Sequence, residues 1–361
     1  MSAYPPTVDA ARYAAIEDRL ASLLQTRRDT SVIAGEAILA LEALARGVGG
    51  PNTRALNVVT GPYGAMMGHW LGAAGGEVRT LQASDGQVIG GDQLRAALAQ
   101  QPADVVCVVH AEAATGVVNP LTELADVSHE AGAVLLVDAV ASVAAEPLEI
   151  DGLGLDAVVI GPQKAMGGPA GVCGLFAGDN VWELLKRNPA APRDSILSLA
   201  DLHDRWIGTG RTALPFVPHH LEMIALDQAL GRLESEGLDA VVARHGRARD
   251  ATRAGLAALG LDLWVADDGE AAAVATLARP PAGVAAAALL ERVRLPGPVE
   301  AAPGSLADAA VRVTHSGAAA SIDTVLLAVA AIGDALVQLR RAVDVAPALA
   351  AAQAAWAATT S

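Results

Sequence analysis

The sequence predicts an α/β protein in which helices cover a mostly parallel sheet, followed by a smaller α+β unit. Three observations carry that expectation. Short apolar runs without polar alternation recur through the first half (ALNVV, EVRTLQ, DVVCVVH, AVLLVDA, LDAVVIG, GVCGLFA), as expected of strands covered on both faces. Helical stretches separate them, at Gly64–Ala73, Gly91–Ala99 and Leu121–Glu130, and this alternation is the mark of a parallel sheet. After Leu214 the pattern changes to two long helices and then a mixed segment.

Taken in order, the first helix is expected within Thr7–Arg27. Tyr13, Ile16, Leu20, Leu23 and Leu24 recur there at helical spacing, and Thr7 or Asp9 can cap its start. A second is expected over Ala37–Arg46, stopped by Gly47. The strands and crossover helices then follow, and PFVPHH reads as a connector. Beyond it, helices are expected over His219–Glu236 and Leu238–Leu259, strands near Ala272–Leu277 and Val311–His315, a helix from Ser321 to Arg341, and an alanine-rich helix over Ala346–Thr359. The chain thus divides into a large unit, 1–214, and a smaller one, 215–361.

Composition narrows the function classes. The 361 residues are 52% hydrophobic with a mean hydropathy of +0.37. Alanine is the commonest of the residues behind that figure, and no uncharged apolar run approaches the ~18 residues of a membrane span. The N-terminus lacks the basic-then-apolar layout of a secretory signal. Cys107 and Cys173 sit in apolar runs and read as core fillers of a reducing compartment, so a cytoplasmic protein is expected. A net charge of −15 without a basic patch argues against nucleic acid or an anionic membrane as partner. The histidines are scattered and neither cysteine has a partner, so no metal-ligand spacing is present.

The chemistry concentrates in VVIGPQKAMGGPAG, residues 158–171. A buried strand ends, Gly161 and Pro162 turn the chain, and Lys164 follows at once. The lysine is either a surface charge or an amine held in a pocket. Asp138 ends another strand, AVLLVDA, and is either a cap for the next segment or a functional acid. In parallel sheets ligands bind beyond the carboxyl ends of the strands, which puts His110, Asp138 and Lys164 on one rim. A desolvated lysine near a carboxylate is what Schiff-base chemistry needs. His110 reads as a structural histidine.

LLVDAVASVAAEPLEIDGLGLDAVVIGPQKAMGGPAG resembles the core of the class V aminotransferases, fold-type-I pyridoxal-phosphate enzymes that include alanine–glyoxylate and serine–pyruvate aminotransferases. The resemblance continues through TGPYG (60–64), HAEAATGVVNP (110–120) and VRVTHSG (311–317). It implies that Lys164 forms a Schiff base with the cofactor aldehyde and that Asp138 pairs with the pyridinium nitrogen. Tyr63 would lie on the ring and Arg312 would clamp the substrate carboxylate. Gln163, Gly35, Glu36, Ala37 and Thr115 would complete the cofactor site. It further implies a homodimer in which Phe216–His219 serves the neighbour's site.

The family pattern is broken at three points. Ala113 replaces a hydroxyl that bonds the phenolic oxygen, leaving that role to Thr115 or a water. A covering loop ahead of the first helix has no counterpart. In AGEAILALEAL, Glu36 stands where the phosphate cup carries a hydroxyl, and a carboxylate there repels a phosphate. Gly35-Glu36 resembles the pyridoxamine–pyruvate branch, which takes unphosphorylated pyridoxamine as substrate; that branch carries a second arginine where Pro303 stands here. Glu36 could equally face solvent and cap its helix. The function expected is amino transfer to pyruvate or glyoxylate, with pyridoxamine or a small amino acid as donor. The alternatives are a lyase on the same scaffold and a non-catalytic partner subunit.

Overall fold

The computed structural model describes residues 7–294 and 297–358. The last position expected in the tail helix, Thr359, lies outside them, as do the first six residues of the N-terminal segment.

In chain order the first half carries strands β1 (Asp29–Ala34), β2 (Arg54–Val59), β3 (Glu77–Gln82), β4 (Val105–Val109), the two-residue pair β5 (Ala111–Glu112) and β6 (Val117–Val118), then β7 (Val134–Asp138), β8 (Ala157–Ile160) and β9 (Val172–Ala177). Helices α1 (Ala10–Leu23), α2 (Ala37–Val48), α3 (Pro62–Ala73), α4 (Gly91–Gln100), α5 (Leu121–Glu130) and α6 (Asp179–Arg187) alternate with them. The main sheet runs β1-β9-β8-β7-β4-β2-β3. Its β8-β7-β4-β2-β3 block is parallel, and β9 is antiparallel to both of its neighbours.

The apolar runs now have a physical reason. Successive side chains of a strand point to opposite faces, and β4 divides in that way. Val106 and Val108 join one core with Tyr13, Ile16 and Leu124. Val105 and Cys107 join another with Leu44, Met67 and Leu71. Both faces are covered, and the strand is apolar throughout. Both cysteines are buried and free.

The second half holds α7 (Leu199–Leu202), a π-helical turn (His203–Ile207), α8 (His220–Glu236) and α9 (Leu238–Ala258). A four-stranded antiparallel sheet follows, from β10 (Asp262–Leu263), β11 (Ala275–Arg279), β12 (Val299–Ala301) and β13 (Val311–Thr314), in the order β10-β11-β13-β12. Helices α10 (Ala286–Leu290), α11 (Ile322–Gln338) and α12 (Val345–Ala358) complete it. Leu256, Val311, Val313, Ile332 and Leu336 form its core, whereas Met223, Leu226 and Leu230 of α8 pack into the core that holds α1. Among the described residues no helix is long and apolar enough to cross a membrane.

Several boundaries differ from expectation. Strand β1 was not anticipated, because Asp29, Thr30 and Ser31 break its apolar run. Helix α2 passes through Gly47 to Val48; one glycine costs a helix only about 1 kcal/mol, less than the buried leucines return. Helix α3 begins at Pro62 rather than Gly64, since proline suits the first helical position. Asp9, not Thr7, caps α1 by accepting from Arg12 N. Strand β11 begins three residues later than the expected Ala272.

Candidate active site

Strands β7 and β8 run parallel, with Asp138 opposite Val159, so the ends of both strands open on the same edge of the sheet. Asp138 is the last residue of β7, and Lys164 follows the turn that leaves β8 at Ile160. Asp138 is 5% exposed. Its Oδ1 accepts from Val140 N at 2.9 Å, and its carbonyl accepts from His110 N at 2.8 Å. The side chain therefore caps the next segment and still belongs to the rim. His110 is buried, its Nδ1 lacks a partner in this structure, and burial pushes its pKa down to about 4.

The lysine turn is held from two sides. Its Gly167 carbonyl accepts from Arg232 Nη2 of α8 at 2.8 Å. Gly317, just past β13, packs so close that a Cβ there would lie 2.9 Å from the Lys164 carbonyl. The amine Nζ stands 5.4 Å from the centre of the Tyr63 ring. Burial depresses the Lys164 pKa, while Asp138, Glu112 and Glu36 oppose that shift and Arg312 adds to it. Burial likewise pushes Asp138 up to about 6, against the pull of Val140 N and Lys164. Tyr63 titrates above its usual value through burial and the nearby acids, Glu112 first. Asp138, Lys164, Tyr63, Arg312 and Glu36 thus share one electrostatic site.

Glu112 received no role from the sequence, although it lies in HAEAATG. It is fully buried, and burial raises its pKa to about 7. Its Oε2 accepts from Gly64 N at 3.1 Å and its Oε1 from Ala114 N at 3.3 Å. Gly61 makes room for it, since a Cβ there would approach Glu112 Cγ to 2.3 Å. The carboxylate thereby ties the first turn of α3, which carries Tyr63, to the 112–115 segment. Thr115 is buried and its hydroxyl donates to Thr60 O at 3.2 Å.

At the start of α2, Glu36 is the N-cap, and its Oε2 accepts from Ile38 N at 2.8 Å. Its Oε1 accepts from Gln163 Nε2 at 2.7 Å. Gly35 N donates to Gly171 O at 2.8 Å, and Ala37 is buried as the first helical residue. A helix start of this kind ordinarily attracts an anion. Here the helix supplies its own carboxylate, which also engages the Gln163 amide. The amine and carboxylate of the rim fit the aldehyde and ring of a pyridoxal compound, and the buried, unpartnered Gln163 Oε1 is an acceptor seeking a donor. The α2 start does not fit a phosphate dianion.

Arg312 lies on β13 opposite Glu300 of β12. Its Nε and Nη2 donate to Glu300 Oε1 at 3.2 and 2.7 Å, and its Nη1 donates to Ala113 O at 3.1 Å. Glu300 is the second residue that sequence reasoning missed. Its only signal is its place on a strand beside that of the arginine.

The architecture is that of the fold-type-I pyridoxal-phosphate transferases. The crystal structure of pyridoxamine–pyruvate aminotransferase from Mesorhizobium loti matches with a TM-score of 0.90 at 29% identity, covering 97% of this chain and 90% of that one. The alanine–glyoxylate aminotransferase of Nostoc sp. matches with a TM-score of 0.85 at 26% identity, covering 92% and 90%. In sequence, the pyridoxamine–pyruvate transaminase of Mesorhizobium japonicum is 30% identical over 327 residues, 90% of this chain and 83% of the relative. Residues 10–286 match the family Aminotransferase class-V. The chain belongs to that family and is a pyridoxal-phosphate-type aminotransferase.

Proposed function

We propose that the protein transfers the amino group of unphosphorylated pyridoxamine to a small 2-oxo acid, pyruvate or glyoxylate, with Lys164 as the amine that captures the pyridoxal aldehyde. The observation that carries this reading is Glu36, fixed at the α2 start by Ile38 N and Gln163 Nε2 and close enough to act on Lys164. A carboxylate there disfavours a phosphate and can accept from a hydroxymethyl group.

The pyridine ring supplies a sink for the electron pair left when a bond at the amino carbon breaks. The chain's own residues do the rest. Burial keeps a larger share of Lys164 as free amine, so it can attack a carbonyl carbon and afterwards hold the proton taken from the amino carbon. Asp138, ionised at neutral pH with a pKa of about 6, keeps the ring nitrogen protonated. Tyr63 covers the ring, and Arg312 grips the carboxylate of the oxo acid. Gln163, Gly35, Ala37 and Thr115 line the remainder. We further propose a division near residue 214, a cytoplasmic location and a homodimer. Exposed Ile196 and Val217 line a 550 Å³ cavity together with Ala34, Phe216 and His219 and support the dimer, since a second copy would cover them.

The test is a titration of the full chain with pyridoxal and, separately, with pyridoxal phosphate, each followed by borohydride reduction and mapping of the modified residue. Stronger capture of pyridoxal, with the label on Lys164, is expected. Glu36→Ser is expected to shift the preference toward the phosphorylated form by about tenfold or more. Equal or stronger capture of pyridoxal phosphate by the unmodified chain would make the pyridoxamine reading wrong.

A further inference from the structure

We propose that Glu300 determines acceptor specificity: it limits Arg312 to a single substrate carboxylate and so selects 2-oxo acids with one carboxylate over dicarboxylic ones. The inference rests on the reading above that Arg312 receives the oxo acid.

A guanidinium carries five N–H donors. Glu300 Oε1 takes two of them, from Nε at 3.2 Å and Nη2 at 2.7 Å. The Ala113 carbonyl takes a third, from Nη1 at 3.1 Å. One N–H remains on each terminal nitrogen, which is enough for one carboxylate in a two-bond contact. Glu300 is not a loose surface partner. Its Oε1 also accepts from Thr314 Oγ1 at 2.7 Å, and the β12–β13 pairing sets it directly opposite Arg312. Arg312 is accordingly well covered, with its side chain 19% exposed.

The surrounding charge points the same way. Three acids, Asp138, Glu112 and Glu36, act on Lys164, against one cation, Arg312. With Glu300 added, a second substrate carboxylate would come to rest among acidic groups. Like charges brought together in this way favour the smaller anion. The Glu300 side chain is 44% exposed, so water screens part of the repulsion and the selectivity is finite.

The test compares pyruvate with 2-oxoglutarate, by calorimetric binding to the full chain with and without saturating pyridoxal, and by kcat/KM with pyridoxamine as donor. The unmodified chain is expected to favour pyruvate by at least about tenfold, or ~1.4 kcal/mol. Glu300→Gln keeps an acceptor for Arg312 but removes the charge, and should narrow that ratio by about tenfold. Glu300→Asp should keep it. Because the ratio is taken within one protein, partial misfolding of a variant cancels. An unchanged ratio in Glu300→Gln, equal binding of both acids by the unmodified chain, or binding of neither would overturn the inference. Discrimination in binding without any amino transfer from pyridoxamine would uphold it and count against the proposed reaction instead.

Discussion

Glu112 joins the two halves of the site through a single side chain. It receives Gly64 N and Ala114 N, and its charge acts on both Tyr63 and Lys164. Glu112→Ala strands both backbone donors, at about 1–3 kcal/mol for each buried group left unpaired, and a lower urea midpoint is expected. Glu112→Gln keeps an acceptor and removes the charge that raises the Lys164 pKa. The pH profile of pyridoxal capture by Lys164 should therefore move to lower pH, which a purely structural role for Glu112 would not cause. Lys164 and Asp138 could be placed on one rim from the sequence because one ends a strand and the other follows the turn that leaves one, whereas Tyr63, in the first turn of a helix, and Arg312, inside a strand, are legible only through the family resemblance. Glu112 and Glu300 could not, because their significance is a contact across the fold: Glu112 against a glycine 51 positions earlier, Glu300 against an arginine on the next strand.

At the scale of elements, the turn after β8 is shaped by parts of the chain far from it. Arg232 of α8 binds the Gly167 carbonyl. Gly317 sits at φ +61° against the Lys164 carbonyl and donates its N–H to His245 Nε2 at 2.9 Å. His245 Nδ1 lies 2.8 Å from the Val241 carbonyl, so Nδ1 carries the proton and Nε2 is the acceptor; burial holds the pKa down at about 4, which keeps the ring neutral. Gly317→Ala meets both a left-handed backbone, costing about 1–2 kcal/mol, and a Cβ 2.9 Å from a carbonyl oxygen. The expected outcome is a lower Tm together with slower trapping of pyridoxal on Lys164. Arg232→Ala frees only one carbonyl, on an exposed glycine, and should slow trapping less. The parallel strands were plain in the sequence because a short, unbroken apolar run suits a strand covered on both faces and little else. Strand β1 was hidden because its Ser31 is polar yet buried, and polar residues normally mark a solvent face. The start of α3 was blurred because Pro62 reads as a breaker when it is in fact a first-turn residue.

Across the whole molecule, two sets of buried groups pull stability in opposite directions with pH. Burial raises Glu17, Glu112 and Glu146 to about 7 and Asp138 to about 6, from ordinary values of 4.5 and 3.8. The unfolded chain ionises these carboxyls first, so their contribution is complete below about 4 and is lost as pH rises through 6 to 7. Burial lowers His110 and His245 to about 4 and His315 to about 3, from 6.5. There the unfolded chain binds protons first, so stability is complete above 6.5 and is lost as pH falls toward 4. Over pH 5 to 6.5 the three histidines offset all but about one of the four acids, so a urea-unfolding series should show stability falling as pH rises, by at most about 1.4 kcal/mol per pH unit. Replacing one histidine would unmask the acids. His110→Gln is the most informative choice, because the His110 Nδ1 makes no hydrogen bond in this structure and its loss removes little else. Relative to the unmodified chain, this variant should gain stability as pH falls from 7 to 5, by at most about 1.4 kcal/mol per pH unit. A difference that stays constant with pH would mean that His110 titrates in the folded protein much as it does in the unfolded chain.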